Sequence, residues 1–208
     1  YTWNEYNVNS RESFPRQVRG KSVSVDDYRV VCETPDVLKT EVEEKKKEGF
    51  DILHIRRGTR EGYKAGALKE GMKIAKGEYI AIFDADFIPQ KEFLQKTLSY
   101  FTDEKVGMVQ SRWEHLNGDY SIITKAQALA LDGHFVIEQT VRNRSGFFIN
   151  FNGTGGVWRK KCIEEAGNWH ADTLTEDLDL SYRAQLIGWR FVFLKDFTSP
   201  AELPSEIN

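Results

Sequence analysis

Two aspartates separated by one residue, Asp84 and Asp86 in Phe83-Asp84-Ala85-Asp86-Phe87, follow directly on the apolar run Tyr79–Phe83. In a parallel sheet ligands bind beyond the carboxyl ends of the strands, and paired hard oxygen donors there suit Mg²⁺ or Mn²⁺ that also touches phosphate oxygens. An aspartate that caps the next helix is the plain structural alternative. A second acidic group, Asp172, Glu176, Asp177 and Asp179, marks the start of a helical stretch that runs toward Gly188. Thr173 and Glu176 fit the T-x-x-E capping box, which gives part of the cluster a structural account and leaves Asp177 over. A carboxylate so placed can act as general base on an attacking hydroxyl.

Two further stretches could approach a ligand. In Phe151-Asn152-Gly153-Thr154-Gly155-Gly156-Val157-Trp158 the glycines read as a loop whose backbone can come close to a bound molecule. No GK[ST] follows, so it is not a P-loop. Gly62-Tyr63-Lys64-Ala65-Gly66-Ala67 opens a helix and puts Lys64 at its N-terminus, where free N–H groups and the macrodipole favour an anion such as phosphate. A tight turn and a solvated lysine are the structural alternatives at these two places. His54, His115, His134 and His170 show no metal-binding spacing and read as packed or surface residues. Trp113, Trp158, Trp169 and Trp189 suit either a core or the stacking of sugar rings, and the sequence does not separate the two.

The elements that must carry these residues alternate. Short apolar runs at Val23–Val25, Ile52–Ile55, Tyr79–Phe83, Val106–Gln110 and Arg190–Leu194 read as strands. Between them the spacing predicts helices over Asp36–Glu48, ending at Gly49, over Lys64–Lys76, ending at Gly77, and from Pro89 to Tyr100. Tyr120–Arg142 reads as one long or broken helix. This order favours an α/β fold, a mostly parallel sheet with helices on both faces, in one domain of 208 residues.

With 29 Lys+Arg against 32 Asp+Glu the net charge is −3, which offers no broad positive field to nucleic acid. Cys32 and Cys162 have no CxxC spacing or clustered histidine, arguing against zinc or a disulfide framework and fitting a reducing compartment. No apolar run is long enough to span a bilayer, and the polar start is not a signal peptide, so the chain as given reads as soluble. Ser199–Asn208 is made of turn-type residues, which suggests a piece of a longer protein with membrane segments outside it.

Taken in order, GYKAGAL, FDADF, QSRWEHLN, GHFVIEQ, FNGTGGVWR and DTLTEDLDLSYRAQLIGW resemble the processive family-2 glycosyltransferases of the cellulose synthase type. The likeness runs from Gly49 to Pro204, with 34–208 as the well-matching core and 1–33 as a poorly matching nucleotide-binding start. The resemblance implies a GT-A fold that passes a sugar, with inversion, from a UDP- or GDP-sugar to the hydroxyl of a growing β-linked glycan, with Mg²⁺ or Mn²⁺. It implies Lys64 and Asp84 near the nucleotide sugar, Asp86 as direct metal ligand, Asp177 as general base, and Asn152, Gly153, Thr154 and Glu176 at the acceptor. Asp27 and Asp26, after Val23–Val25, are assigned by the same resemblance to the base or ribose. It also implies flanking membrane helices in the parent, with this domain on the cytoplasmic face. The family's Q-x-x-R-W acceptor motif is absent after Pro204, so the 208 residues are expected to bind donor without making polymer.

Two other readings stand beside this one. A degenerate relative would bind nucleotide sugar, or nothing, and not transfer it. A phosphotransferase of the haloacid dehalogenase type also places DxD after a strand, but that strand should be the first in the domain, and here it lies at 79–83.

Overall fold

The computed structural model describes residues 17–18, 21–22, 30–32, 39–55, 57–173 and 175–205. The run Val23–Val25, with Asp26 and Asp27, lies outside the described residues. A hairpin pairs β1 (Gln17–Val18) with β2 (Lys21–Ser22), and β3 (Val30–Cys32) runs parallel to β4 (Ile52–His54). Between them stands α1 (Lys39–Lys47), closed at Gly49 by two reverse bonds, Gly49 N–H to Lys46 and Phe50 N–H to Lys45. Gly49 takes φ 98°, the left-handed conformation that such a helix end requires.

The central sheet has four strands in the order β5-β7-β6-β8: β5 (Tyr79–Ile82), β6 (Val106–His115), β7 (Gly156–Arg159) and β8 (Arg190–Ala201). β6 and β8 are parallel, while β7 runs antiparallel to both β5 and β6. The α/β class therefore stands, with a sheet that is mixed rather than mostly parallel. β7 is the strand that glycine spacing disguises. Gly156 belongs to it by pairing with Ile82 and Gln110, and a Cβ there would lie 2.7 Å from the Phe151 ring, so only hydrogen fits. All four residues of β7 are buried.

β6 and β8 extend well past their apolar starts, to His115 and Ala201. Their polar halves are held by buried hydroxyls: Ser111 Oγ donates to Gly155 O at 2.8 Å and faces Ser199 Oγ at 2.7 Å. With its proton given to Gly155, Ser111 accepts from Ser199. Between Ser111 and Arg112 the register shifts, so that Lys195–Phe197 bulges and Arg112 Nε donates to Lys195 O.

Side chains alternate across the sheet. Met108 and Trp158 pack on one face with Ala65, Phe135, Phe151, Ile163, Trp169 and Leu180, whereas Val109 and Val157 pack on the other with Phe93, Phe101 and Phe197. The first face is covered by α2 (Tyr63–Ile74), α6 (Lys160–Glu165) and α7 (Glu176–Leu186), the second by α3 (Phe93–Leu98) and the 3-10 turn Ser99–Thr102. Helices on both faces are thus observed. Trp158 and Trp169 belong to the core, and Trp113 and Trp189 pack partly buried against it.

Tyr120–Arg142 is a broken helix. Ser121 caps α4 (Ile122–Asp132) through a reciprocal pair with Thr124, a π-helical segment covers Gly133–Gln139, and α5 (Thr140–Arg144) follows. The wider π turn redirects His134, Phe135 and Gln139, and such insertions are common at functional sites. Buried Arg159 ties β7 to its surroundings, donating to the carbonyls of Phe101, Val106 and Asp103 and to Glu78. Cys162 is a free, buried cysteine whose thiol burial pushes up to about 12, so it stays protonated and unreactive. Among the described residues no helix is long and apolar enough to cross a membrane.

Candidate active site

The DxD turn leaves the end of β5 and is pinned on both sides. Asp84 N–H donates to the buried Thr154 hydroxyl at 2.8 Å, and Ile88 N–H donates to Pro200 O at 2.9 Å, next to a bridge between Phe87 and Ala201. With Phe87 buried as the anchor, the turn presents Asp86 outward. The Asp86 carboxylate is exposed and makes no hydrogen bond or ion pair among the described residues.

Lys64 is the second residue of α2, whose N-cap Gly62 is left-handed at φ 67° and offers no side-chain cap. Its Nζ donates to Asp84 Oδ1 at 2.5 Å. Both side chains are about a third or more exposed, 35% and 42%, so the pair contributes little to stability. Its consequence is positional, because it brings an ammonium over the first aspartate of the turn.

Asp177 arrives from the opposite side, as the second residue of α7. Thr175 is the N-cap and makes no side-chain cap bond, so the expected box between Thr173 and Glu176 does not form. Glu176 is the first helical residue rather than the third, which places its carboxylate two residues too early to reach back. One oxygen of Asp177, Oδ1, accepts the Leu178 N–H at 2.8 Å. The other, Oδ2, faces the glycine loop: a Cβ on Gly153 would lie 3.4 Å from it and 3.4 Å from Lys64 Nζ. Gly153, at φ +81°, thus lets the loop backbone pass between a carboxylate and an ammonium that both line one space.

Of the residues expected to act together, the structure gathers Lys64, Asp84, Gly153, Thr154 and Asp177. Asp86 and Glu176 join as chain neighbours of Asp84 and Asp177. Asn152 is held separately: its N–H donates to Gln110 Oε1, and its Oδ1 faces Asn150 Nδ2 at 2.8 Å and His134 Nε2 at 3.2 Å. Asp26 and Asp27 lie outside the described residues.

Sequence reading misses the residues that set α7 against the loop. Ser181 Oγ donates to Asp177 O and accepts Phe151 N–H at 2.9 Å, while the Gln185 amide accepts from Ile149 N and donates to Ile149 O. Asp177, Ser181 and Gln185 recur every four residues on one helix face, and that polar stripe beside Leu180 and Ala184 is the available signal.

A divalent cation fits the donor chemistry of the turn. Asp84 and Asp86 supply hard carboxylate oxygens, and Asp86 is free to ligate. No group of three His, Cys, Asp or Glu side chains that could hold a metal occurs among the described residues. Mg²⁺ and Mn²⁺ are commonly bound by one or two carboxylates, with phosphate oxygens and water supplying the rest.

The chain is 44% identical over 174 residues to glucomannan 4-beta-mannosyltransferase 1 of Oryza sativa subsp. japonica, a match covering 82% of the chain and 33% of that protein. It is also 44% identical over 175 residues to probable glucomannan 4-beta-mannosyltransferase 10 of Arabidopsis thaliana, covering 82% and 32%. The chain thus spans about a third of the length of the curated relatives it matches. Among solved structures, the mannosyltransferase PcManGT from Pyrobaculum calidifontis, in complex with GDP-Man and Mn²⁺, superposes with TM-score 0.64 at 19% identity, covering 86% of this chain and 48% of that one. S. aureus TarS 1-349 with UDP-GlcNAc gives TM-score 0.61 at 14% identity, covering 86% and 50%. These neighbours share the GT-A fold. The model described as glycosyltransferase like family 2 matches residues 22–206, nearly the whole sequence, and the chain belongs to glycosyltransferase family 2.

Proposed function

We propose that this domain passes a sugar, with inversion at the anomeric carbon, from a nucleoside diphosphate sugar to the hydroxyl of a β-linked glycan. The observation that carries the reading is the approach of Lys64 Nζ and Asp177 Oδ2 to the same glycine, with Lys64 bonded to Asp84 of the DxD turn. A cation and metal-ligating carboxylates on one side, and an uncommitted carboxylate oxygen on the other, are what in-line displacement of a diphosphate requires.

Asp86, with Asp84, would hold Mg²⁺ or Mn²⁺, which when bound supplies neutralisation of charge on the leaving diphosphate. Lys64 adds a fixed positive charge beside it. Asp177 Oδ1 is occupied by a backbone N–H, so Oδ2 takes the proton of the acceptor hydroxyl. The acceptor oxygen bonds the anomeric carbon as the bond to the diphosphate oxygen breaks. The FNGTGG loop, with Asn152, Gly153 and Thr154, and Glu176 beside the base, form the acceptor wall.

The glucomannan mannosyltransferase relatives and the GDP-Man complex of PcManGT support GDP-mannose as donor and a β-linked mannan or glucomannan as acceptor. The resemblance to the cellulose synthase type supports membrane helices elsewhere in the whole protein, with this domain on the cytoplasmic face. Radiolabelled GDP-mannose, UDP-glucose and UDP-GlcNAc, each incubated with the full-length protein, Mn²⁺ and a β-1,4-linked manno-oligosaccharide, test the assignment. Label should enter the oligosaccharide from GDP-mannose. Donor binding without transfer would instead identify a degenerate relative, and label from a UDP-sugar alone would overturn the donor.

A further inference from the structure

His134 is set by the π-helical segment Gly133–Gln139 rather than by a regular helix. Its Nδ1 faces Glu138 Oε2 at 3.0 Å and its Nε2 faces Asn152 Oδ1 at 3.2 Å, with the Phe135 ring edge-on at 5.0 Å. Glu138 is held in turn by Arg142 Nη1 at 3.2 Å, and Arg142 Nη2 donates to Tyr182 OH of α7 at 3.1 Å. The bond from His134, and then that from Arg142, lowers the Glu138 carboxyl below the usual range, so it is a charged acceptor at neutral pH. A continuous polar chain therefore runs from the general-base helix, through the π segment, to the glycine loop.

Its end point is one amide. Asn152 Oδ1 receives Asn150 Nδ2–H at 2.8 Å, and His134 Nε2 stands against the same oxygen at 3.2 Å. The two contacts fix which way the amide faces, because the reversed amide would set its NH₂ against the Asn150 NH₂. Asn152 Nδ2 then has one N–H toward Asn150 O, at 3.5 Å, and one with no partner among the described residues. We propose that His134, braced by Glu138, is a positioning residue that orients the Asn152 amide so that its free N–H is presented to an acceptor sugar oxygen. The acceptor half of this rests on the function proposed above, whereas the orienting half does not.

The test uses the ¹⁵N-labelled chain, with the Asn152 side-chain amide signals assigned by their loss in Asn152→Asp. His134→Leu removes the ring nitrogens and His134→Gln supplies a polar group in their place. In His134→Leu the Asn152 amide signals should shift or broaden, and affinity for a β-1,4-linked manno-oligosaccharide should fall about five- to tenfold while Mn²⁺–nucleotide affinity stays within about twofold. His134→Gln should restore most of both. Unchanged Asn152 signals in His134→Leu would overturn the orienting role, even in a variant that binds acceptor poorly. Failure of the wild type to bind the oligosaccharide would overturn the acceptor half, together with the function it rests on.

Discussion

In the full-length protein Asp177→Asn is expected to leave donor binding within about twofold and to lower transfer by about 10²- to 10⁴-fold, the contribution of a positioned general base. The amide keeps the size of the carboxylate and can still offer an oxygen to the Leu178 N–H, so α7 should start where it does now. What disappears is a basic atom facing Gly153 and the space shared with Lys64. The base acts only as the hydroxyl attacks, so the loss belongs in turnover and not in donor affinity. Single-turnover transfer from labelled GDP-mannose, beside a donor titration of the same variant, separates the two. Wild-type turnover at saturating donor would make Asp177 an ordinary first-turn acid of α7, with the role that the helix dipole gives any carboxylate there.

Asp86→Ala should abolish metal-dependent nucleotide-sugar binding and leave the fold stable to within about 0.5 kcal/mol, the usual range for a surface change. The turn is anchored without it, by the Thr154 hydroxyl on Asp84 N–H and by Phe87 in the core. Asp86 itself is exposed and carries no partner that its removal would orphan. Calorimetry with GDP-mannose, with and without Mn²⁺, and a urea titration of the same protein check both halves. Retained Mn²⁺-dependent affinity in a folded variant would remove Asp86 from the metal site.

The sequence is most legible where one residue does one thing. The apolar run before Asp84 gives β5 and the position of the DxD turn, and Gly49 gives the end of α1 by its need for a left-handed backbone. Legibility fails where pairing with distant chain decides the structure. Gly155-Gly156 reads as a turn, yet Gly156 is in a central strand because it pairs with Ile82 and Gln110, with the Phe151 ring in the space of its missing side chain. The extensions of β6 and β8 rest on a hydroxyl pair 88 positions apart. The capping box at Thr173 is a local pattern that loses to α7 starting at Glu176. His134 carries no spacing signal, since its meaning depends on a π turn and on an asparagine 18 residues away.

The convergence of Lys64, the DxD turn and Asp177 on one space is the claim from which the rest follows, and a crystal structure of the chain with Mn²⁺ and a non-hydrolysable GDP-mannose analogue tests it most directly. The diphosphate should lie beside Lys64 with the metal on Asp86, and the anomeric carbon should face Asp177 Oδ2 across Gly153. A nucleotide bound elsewhere, or a sugar turned away from Asp177, would contradict the account.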